Sequence, residues 1–199
     1  MVSPDKPFAS GWRDMAYVPR WAILRRNRHQ FLAEHSYFTA VYADQVARFI
    51  GWKGDYAKLL RYALYHDLEE TVTGDIPGPA KRAAWDAGKA KDHVHPVLRA
   101  KFGVDVADAL REKDPETCAI VSFADSVEEV AYLLEESLSG NSRWIKPVLD
   151  EAKARMIDKW WDLPVDPVTL MEKEWLVMNM EIFQNMVPEL LEDKRGNNV

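Results

Sequence analysis

Cysteine is almost missing from this 199-residue chain: Cys118 stands alone. No intrachain disulfide and no cysteine-built zinc site can form. Glycine and proline are sparse at 9 and 11 residues, which excludes collagen-like and low-complexity chains. Basic residues are the minority, 26 Lys and Arg against 32 Asp and Glu, for a formal charge of −6. A general nucleic-acid binder needs a cationic surface to displace phosphate counterions, so no nucleic acid is expected as a partner. A small phosphorylated ligand stays compatible if a metal supplies positive charge locally. No apolar run approaches the roughly 18 residues of a membrane span. Met1 to Trp12 is polar and carries prolines where a secretory signal would have an apolar core, so the expectation is a cytoplasmic protein with no membrane partner. No stretch alternates with period two over strand length, no GxGxxG occurs, and there is no internal repeat.

What is there is helical spacing and enough apolar residue, 47% of the chain, for one sizeable core. Phe38, Val41, Tyr42, Val46, Phe49 and Ile50 recur at helical intervals and Gly51 ends them, predicting a helix from about Phe31 to Ile50. A second is expected from an Asp55 N-cap through Leu59, Leu60, Ala63 and Leu64 to about Val72, closed by Gly74. Two glycines and two prolines constrain the loop Gly74-Asp75-Ile76-Pro77-Gly78-Pro79. Asp114-Pro115 opens a third helix ending at Gly140. Two more follow, Asn141 to Trp161 and Asp166 to Leu191, with Leu163-Pro164 between them. Ala80 to Arg111 reads as one or two short helices. The expected fold is all-α, a compact single-domain helical bundle over residues 1–199, frayed at about 1–10 and 192–199.

Four residues stand out against this frame: His35 on the first long helix, His66 and Asp67 adjacent on the second, and Asp125 on the third. Two imidazoles and two carboxylates make a mixed nitrogen and oxygen donor set suited to a divalent cation with positions left for water. His66 and Asp67 stand about 100° apart around a helix, so they can flank one ion while the other two helices approach from opposite sides. Each lies among apolar helix positions, and burying such groups costs several kcal/mol, roughly, unless they are paired or hold a metal. Glu70 follows His66 by four and Asp67 by three, placing it on the same face of a helix.

His35, then the His66-Asp67 pair, then a distant Asp125 resembles the HD superfamily of metal-dependent phosphohydrolases. The likeness extends to its bacterial 5′-deoxynucleotidases and phage dATP triphosphohydrolases. It is carried by Arg20-Trp21 ahead of Glu34-His35-Ser36, His66-Asp67-x-x-Glu70, Thr73-Gly74-Asp75-Ile76-Pro77-x-Pro79-x-Lys81, and Ala124-Asp125. These motifs cover Arg20 to about Glu136.

The resemblance implies that His35, His66, Asp67 and Asp125 hold a divalent metal, one of Co, Mn, Zn or Mg. It makes Glu70 the acid/base residue beside a metal-activated water and gives Arg20 the phosphate, which its fixed planar charge suits. Trp21 would wall the sugar and base, and Asp75 would take the deoxyribose 3′-hydroxyl. Ile23 and Pro79 would contribute to the base pocket, and Lys81 with Arg82 would reach further phosphates. The implied partner is a small-molecule deoxynucleotide and the implied state a homo-oligomer, in a bacterial cytosol or a host cytosol if phage-encoded. In the reaction the resemblance implies, a metal-activated water would attack the α-phosphorus and the 5′-oxygen would leave. The deoxynucleoside is released with phosphate from a monophosphate, or with tripolyphosphate from dATP. A phosphodiesterase, or an HD module that binds a nucleotide without turnover, is the alternative. His29, His93 and His95 read as surface residues, the Met178, Met180 and Met186 group as core, and Trp160-Trp161 with Trp144 as packing between late helices or a subunit contact.

Overall fold

Apolar residues on one stripe and a glycine stop produce the first helix, α1 (Leu32–Ile50). Leu32, Ala43 and Ala47 are fully buried along it, and Gly51 at φ 73° donates its N–H to the Ala47 and Arg48 carbonyls, closing the last turn. The computed structural model describes residues 10–78, 87–102 and 114–170. Ahead of α1, a 3-10 helix (Ser10–Tyr17) leads into a closed loop. The neck of that loop is an antiparallel bridge between Pro19 and Phe31, with Arg20 N–H donating to Gln30 O and Leu32 N–H to Val18 O.

Helix α2 (Tyr56–Tyr65) starts where Asp55 accepts the N–H groups of Ala57 and Lys58. The sequence predicts it to run on to Val72, but it stops at Tyr65. The backbone N–H groups of Leu68, Glu70, Thr71 and Val72 reach back three residues, as in Leu68 to Tyr65 O and Glu70 to Asp67 O. The reason lies in the side chains: His66 Nδ1 takes the Ala63 carbonyl at 2.7 Å and Thr71 Oγ1 takes the Leu68 carbonyl at 2.8 Å, tightening the path. A single helical turn, α3 (Glu70–Thr73), follows and ends at Gly74, also at φ 73°.

Helix α4 (Ala87–Phe102) occupies part of the stretch expected to hold short helices. Helix α5 (Pro115–Glu136) begins with Pro at its first position, as predicted, but ends before Gly140. A wide turn (Ser137–Asn141) containing Gly140 at φ 88° joins it to α6 (Ser142–Trp160). At Asp166, where the last helix is expected to start, Oδ1 accepts the Thr169 N–H. The continuation to Leu191, with Met178, Met180 and Met186, lies outside the described residues.

Helix α5 is the centre, packed against α1, α2 and α6. Its Ile120, Phe123, Val127, Val130 and Leu134 are fully buried with Leu59 of α2 and Ile145 of α6. Truncating any of these to Ala costs about 2–5 kcal/mol in a core of this kind. Trp160 belongs to this core against Phe49 and Phe123, whereas Trp144 and Trp161 are about half exposed at 50% and 44%. A smaller cluster of Met15, Leu32, Leu68, Leu98 and Phe102 seats the 3-10 helix against α4. No strand occurs among the described residues, and none of their helices is long and apolar enough to cross a membrane.

Candidate active site

Helices α1 and α5 and the tightened segment after α2 bring four donor atoms to one point. His35 Nε2 lies 3.3 Å from His66 Nε2, 3.5 Å from Asp67 Oδ2 and 3.3 Å from Asp125 Oδ1. His66 Nε2 is 3.3 Å from Asp67 Oδ2 and 3.9 Å from Asp125 Oδ1. Donors about 2.1 Å from a shared ion stand roughly 3.0–3.4 Å apart in octahedral or tetrahedral arrangements; His35, His66 and Asp125 each offer an atom within 4.8 Å of the others, a grouping able to hold a divalent cation, and Asp67 Oδ2 lies beside both histidines.

The tautomers fit as well. A carbonyl only accepts, so His66 Nδ1, 2.7 Å from Ala63 O, carries the proton. His35 Nδ1, 2.5 Å from Glu128 Oε2, does the same against a carboxylate. In the neutral imidazoles both Nε2 lone pairs therefore face the centre. Electrostatics agree: burial opposes ionisation of Asp67 and Asp125, yet the adjacent histidines hold both well below the usual carboxylate range. Burial likewise opposes charge on His35 and His66, and the surrounding carboxylates outweigh it and raise both. The cluster draws positive charge.

Arg20 and Glu70 lie beside it. Arg20 is 3.0 Å from Asp67 Oδ2 and 3.8 Å from Glu70 Oε2, and its pKa is raised by Asp67 and Glu70 despite burial. Glu70 is only 2% exposed, unlike its part-exposed neighbour Glu69, so it is no solvated helix carboxylate. Trp21 has a positive φ of 62°, costly for a bulky residue, and is held from several sides. Its N–H donates to Asp75 Oδ2 at 2.7 Å, its carbonyl accepts from Leu24 N and Arg26, and its ring stacks on Tyr132 at 5.7 Å and 9°.

These groups line a cleft of about 500 Å³ that Ile23, 74% exposed, edges. Of the residues singled out in the sequence, Arg20, Trp21, Ile23, Glu70 and Asp75 border it together with Asp67 and Asp125. Pro79, Lys81 and Arg82 lie outside the described residues. The sequence reading missed Glu129, Arg155 and Lys159, which line the far wall from α5 and α6, and the buried Gln30, Glu128 and Glu136. Glu128 was findable, being a carboxylate three residues after Asp125 among Val127, Val130 and Ala131. Gln30 carried no such signal.

A family model described as 5′-deoxynucleotidase YfbR-like matches residues 7–159. The chain belongs to the YfbR-like 5′-deoxynucleotidase family. Curated relatives agree: a Salmonella newport 5′-deoxynucleotidase YfbR is 29% identical over 145 residues, covering 65% of this chain and 72% of the relative. A Klebsiella pneumoniae 5′-deoxynucleotidase is 27% identical over 142 residues, covering 64% and 71%. The fold is shared with a cyanophage S-2L HD phosphohydrolase (DatZ) solved with dA and one catalytic Zn2+, at TM-score 0.68 and 20% identity over 87% of this chain and 95% of that one. A Listeria innocua HD-domain phosphohydrolase superposes at TM-score 0.66 and 18% identity over 92% and 94%. The all-α HD fold and the expectation of a deoxynucleotide phosphohydrolase both hold for this YfbR-like chain.

Proposed function

We propose that this protein is a cytoplasmic 5′-deoxynucleotidase that hydrolyses deoxynucleoside monophosphates, with a divalent cation held by His35, His66, Asp67 and Asp125. The charge of the cleft carries the choice of monophosphate. Its described lining has six carboxylates, Asp67, Glu70, Asp75, Asp125, Glu129 and Glu151, against Arg20, Arg155 and Lys159. Even with a divalent ion the balance among the described lining residues stays anionic, and Arg155 is engaged by Glu129 at 2.6 Å and by Glu151 at 3.7 Å. Each phosphate beyond the first adds repulsion there.

When bound, the divalent cation supplies Lewis acidity for water activation and phosphoryl polarisation. Arg20 swings from Asp67 and Glu70 onto the phosphate oxygens and offsets the charge that builds on them. Glu70, buried beside Arg20, takes the proton of the attacking water and returns it to the departing 5′-oxygen. Asp75 offers a carboxylate oxygen to the sugar's 3′-hydroxyl while the other holds the Trp21 N–H, and Trp21 walls the sugar and base with Ile23 at the rim.

The test is a panel of dAMP, AMP and dATP with added Zn2+, Co2+, Mn2+ or Mg2+, read by phosphorus NMR. Deoxyadenosine with orthophosphate from dAMP is the expected result. Tripolyphosphate from dATP as the faster reaction would transfer the assignment to a dATP triphosphohydrolase. Appearance of dADP would overturn attack at the α-phosphorus altogether. A homo-oligomeric state is proposed alongside and is read by light scattering on the same preparation.

A further inference from the structure

We propose that Gln30 is a positioning residue that, through Glu128, ties the pose of Trp21 to the metal-site histidine His35. The inference rests on reading the cleft as a deoxynucleotide site walled by Trp21, and adds residues that reading does not use.

Four side chains form one hydrogen-bonded chain. Trp21 Nε1–H donates to Gln30 Oε1 at 2.8 Å, Gln30 Nε2 donates to Glu128 Oε1 at 2.5 Å, and His35 Nδ1–H donates to Glu128 Oε2 at 2.5 Å. Gln30 is 1% exposed, Glu128 3% and His35 0%, so the two links that end on Glu128 are shut off from water, while the Trp21 link is part-buried. The polarity is forced. An indole nitrogen only donates and a carboxylate only accepts, which leaves one orientation for the Gln30 amide. Both arms therefore end on the two oxygens of a single carboxylate, one arm from the nucleoside wall and one from the metal site.

The chain is matched to what Trp21 needs. Its positive φ and its contacts to Asp75, Arg26 and Leu24 fix the backbone, but they leave the ring to rotate. Tyr132 covers one face, and Gln30 sets the ring's in-plane direction. A buried chain of this kind polarises along its length, so charge arriving at His35 Nε2 strengthens Nδ1–H as a donor and alters Glu128 as the acceptor Gln30 sees. By linkage, a cation that favours the set Trp21 pose is itself favoured by the nucleoside.

Exchanging donor and acceptor tests this. Gln30→Glu alone sets two carboxylates against each other, and Glu128→Gln alone leaves two donors facing at one link whichever way the amides turn. The pair Gln30→Glu with Glu128→Gln again matches every donor to an acceptor, at unchanged charge and nearly unchanged volume. Two readouts apply: deoxyadenosine affinity by calorimetry with Zn2+ present, and the Trp21 indole N–H resonance, assigned with Trp21→Phe, during titration with Zn2+ alone.

Each single substitution is expected to weaken deoxyadenosine at least about tenfold and to abolish the response of the Trp21 resonance to Zn2+. The exchange should recover affinity to within about threefold of the parent and restore the response. Folded single variants that behave like the parent, or a folded exchange variant no better than the singles, would overturn the proposal. If the exchange variant fails to fold, Gln30→Leu is measured with and without Trp21→Phe. A loss of affinity that disappears without the indole supports the chain, and an additive loss refutes it. Failure of the function itself is distinguishable, because the parent would then release no deoxynucleoside while the Zn2+ response of Trp21 still reports on the chain.

Discussion

Asp125 turns its two carboxylate oxygens to opposite partners: Oδ1 lies 3.3 Å from His35 Nε2, and Oδ2 lies 3.5 Å from Lys159 Nζ. One residue of α5 thus joins the donor cluster to the far wall of the cleft, where Lys159 also donates to Ser122 O at 3.0 Å. The ammonium is only 30% exposed at the side chain, so it acts through less water than a surface lysine. Lys159→Met should lower kcat/KM for dAMP by about 10- to 100-fold, the worth of one charge-assisted hydrogen bond. Bound metal should remain stoichiometric. Steady-state kinetics beside elemental analysis checks both, and unchanged kinetics would make Lys159 a purely structural clamp on Asp125.

If His35, His66, Asp67 and Asp125 hold one ion, as proposed, they stand or fall together. Chelation of the metal, His66→Ala and Asp67→Ala should each abolish turnover, and each protein should keep its helical circular dichroism. Asp67→Ala also releases Arg20, held at 3.0 Å. Turnover by protein verified as metal-free would contradict the assignment of the cluster.

Among the described residues, Glu70 is the carboxylate next nearest to Arg20 after Asp67, at 3.8 Å. Glu70→Ala should retain metal and lose kcat by roughly two to four orders of magnitude, the size of a general acid/base contribution. Metal loss in this variant would instead make Glu70 part of the donor set.

Much of this architecture is legible in the sequence, and what is not has a physical reason. Gly51, Asp55, Pro115 and Asp166 mark helix ends through local chemistry that three or four residues decide. The break at His66 depends on side chains competing for the Ala63 and Leu68 carbonyls, which helical periodicity does not register. His35, His66, Asp67 and Asp125 were readable because carboxylates and imidazoles among apolar positions need a reason to be there. Arg155 and Lys159 look like ordinary residues of an exposed helix face. Only the packing of α6 on α5 turns them toward the cleft.

Glu136 tests how the loop that carries Arg20 and Trp21 is held. It is 1% exposed, and its two oxygens accept the backbone N–H groups of Asn27 at 2.6 Å and Arg28 at 2.8 Å. Glu136→Ala strips partners from both and should cost about 2–5 kcal/mol of stability. Below the melting temperature of the variant, KM for dAMP should rise more than kcat falls, because the loop loses its anchor while the metal donors keep theirs. Denaturant unfolding and kinetics on one preparation separate the two effects.

Asp75 decides whether the enzyme distinguishes deoxyribose by its contacts or only by its shape. Its Oδ2 is already committed to the Trp21 N–H at 2.7 Å, so a sugar hydroxyl must be met by the other oxygen. Asp75→Asn keeps the size of the side chain and supplies one accepting oxygen where two are needed: if that oxygen serves Trp21, the amide nitrogen faces the 3′-hydroxyl and can only donate to it. The variant should therefore lose about tenfold or more in kcat/KM for dAMP. The 3′-deoxy analogue, which has no hydroxyl to lose, should be nearly indifferent to the change. For the unaltered protein, dAMP should be the better substrate than AMP, since Trp21, proposed to wall the sugar, is held by its backbone bond to Asp75 and its stacking on Tyr132. Equal specificity constants for AMP and dAMP would show that the wall does not exclude the 2′-hydroxyl. An equal loss on dAMP and its 3′-deoxy analogue in Asp75→Asn would instead place Asp75 as a support for Trp21 and not as a contact to the sugar.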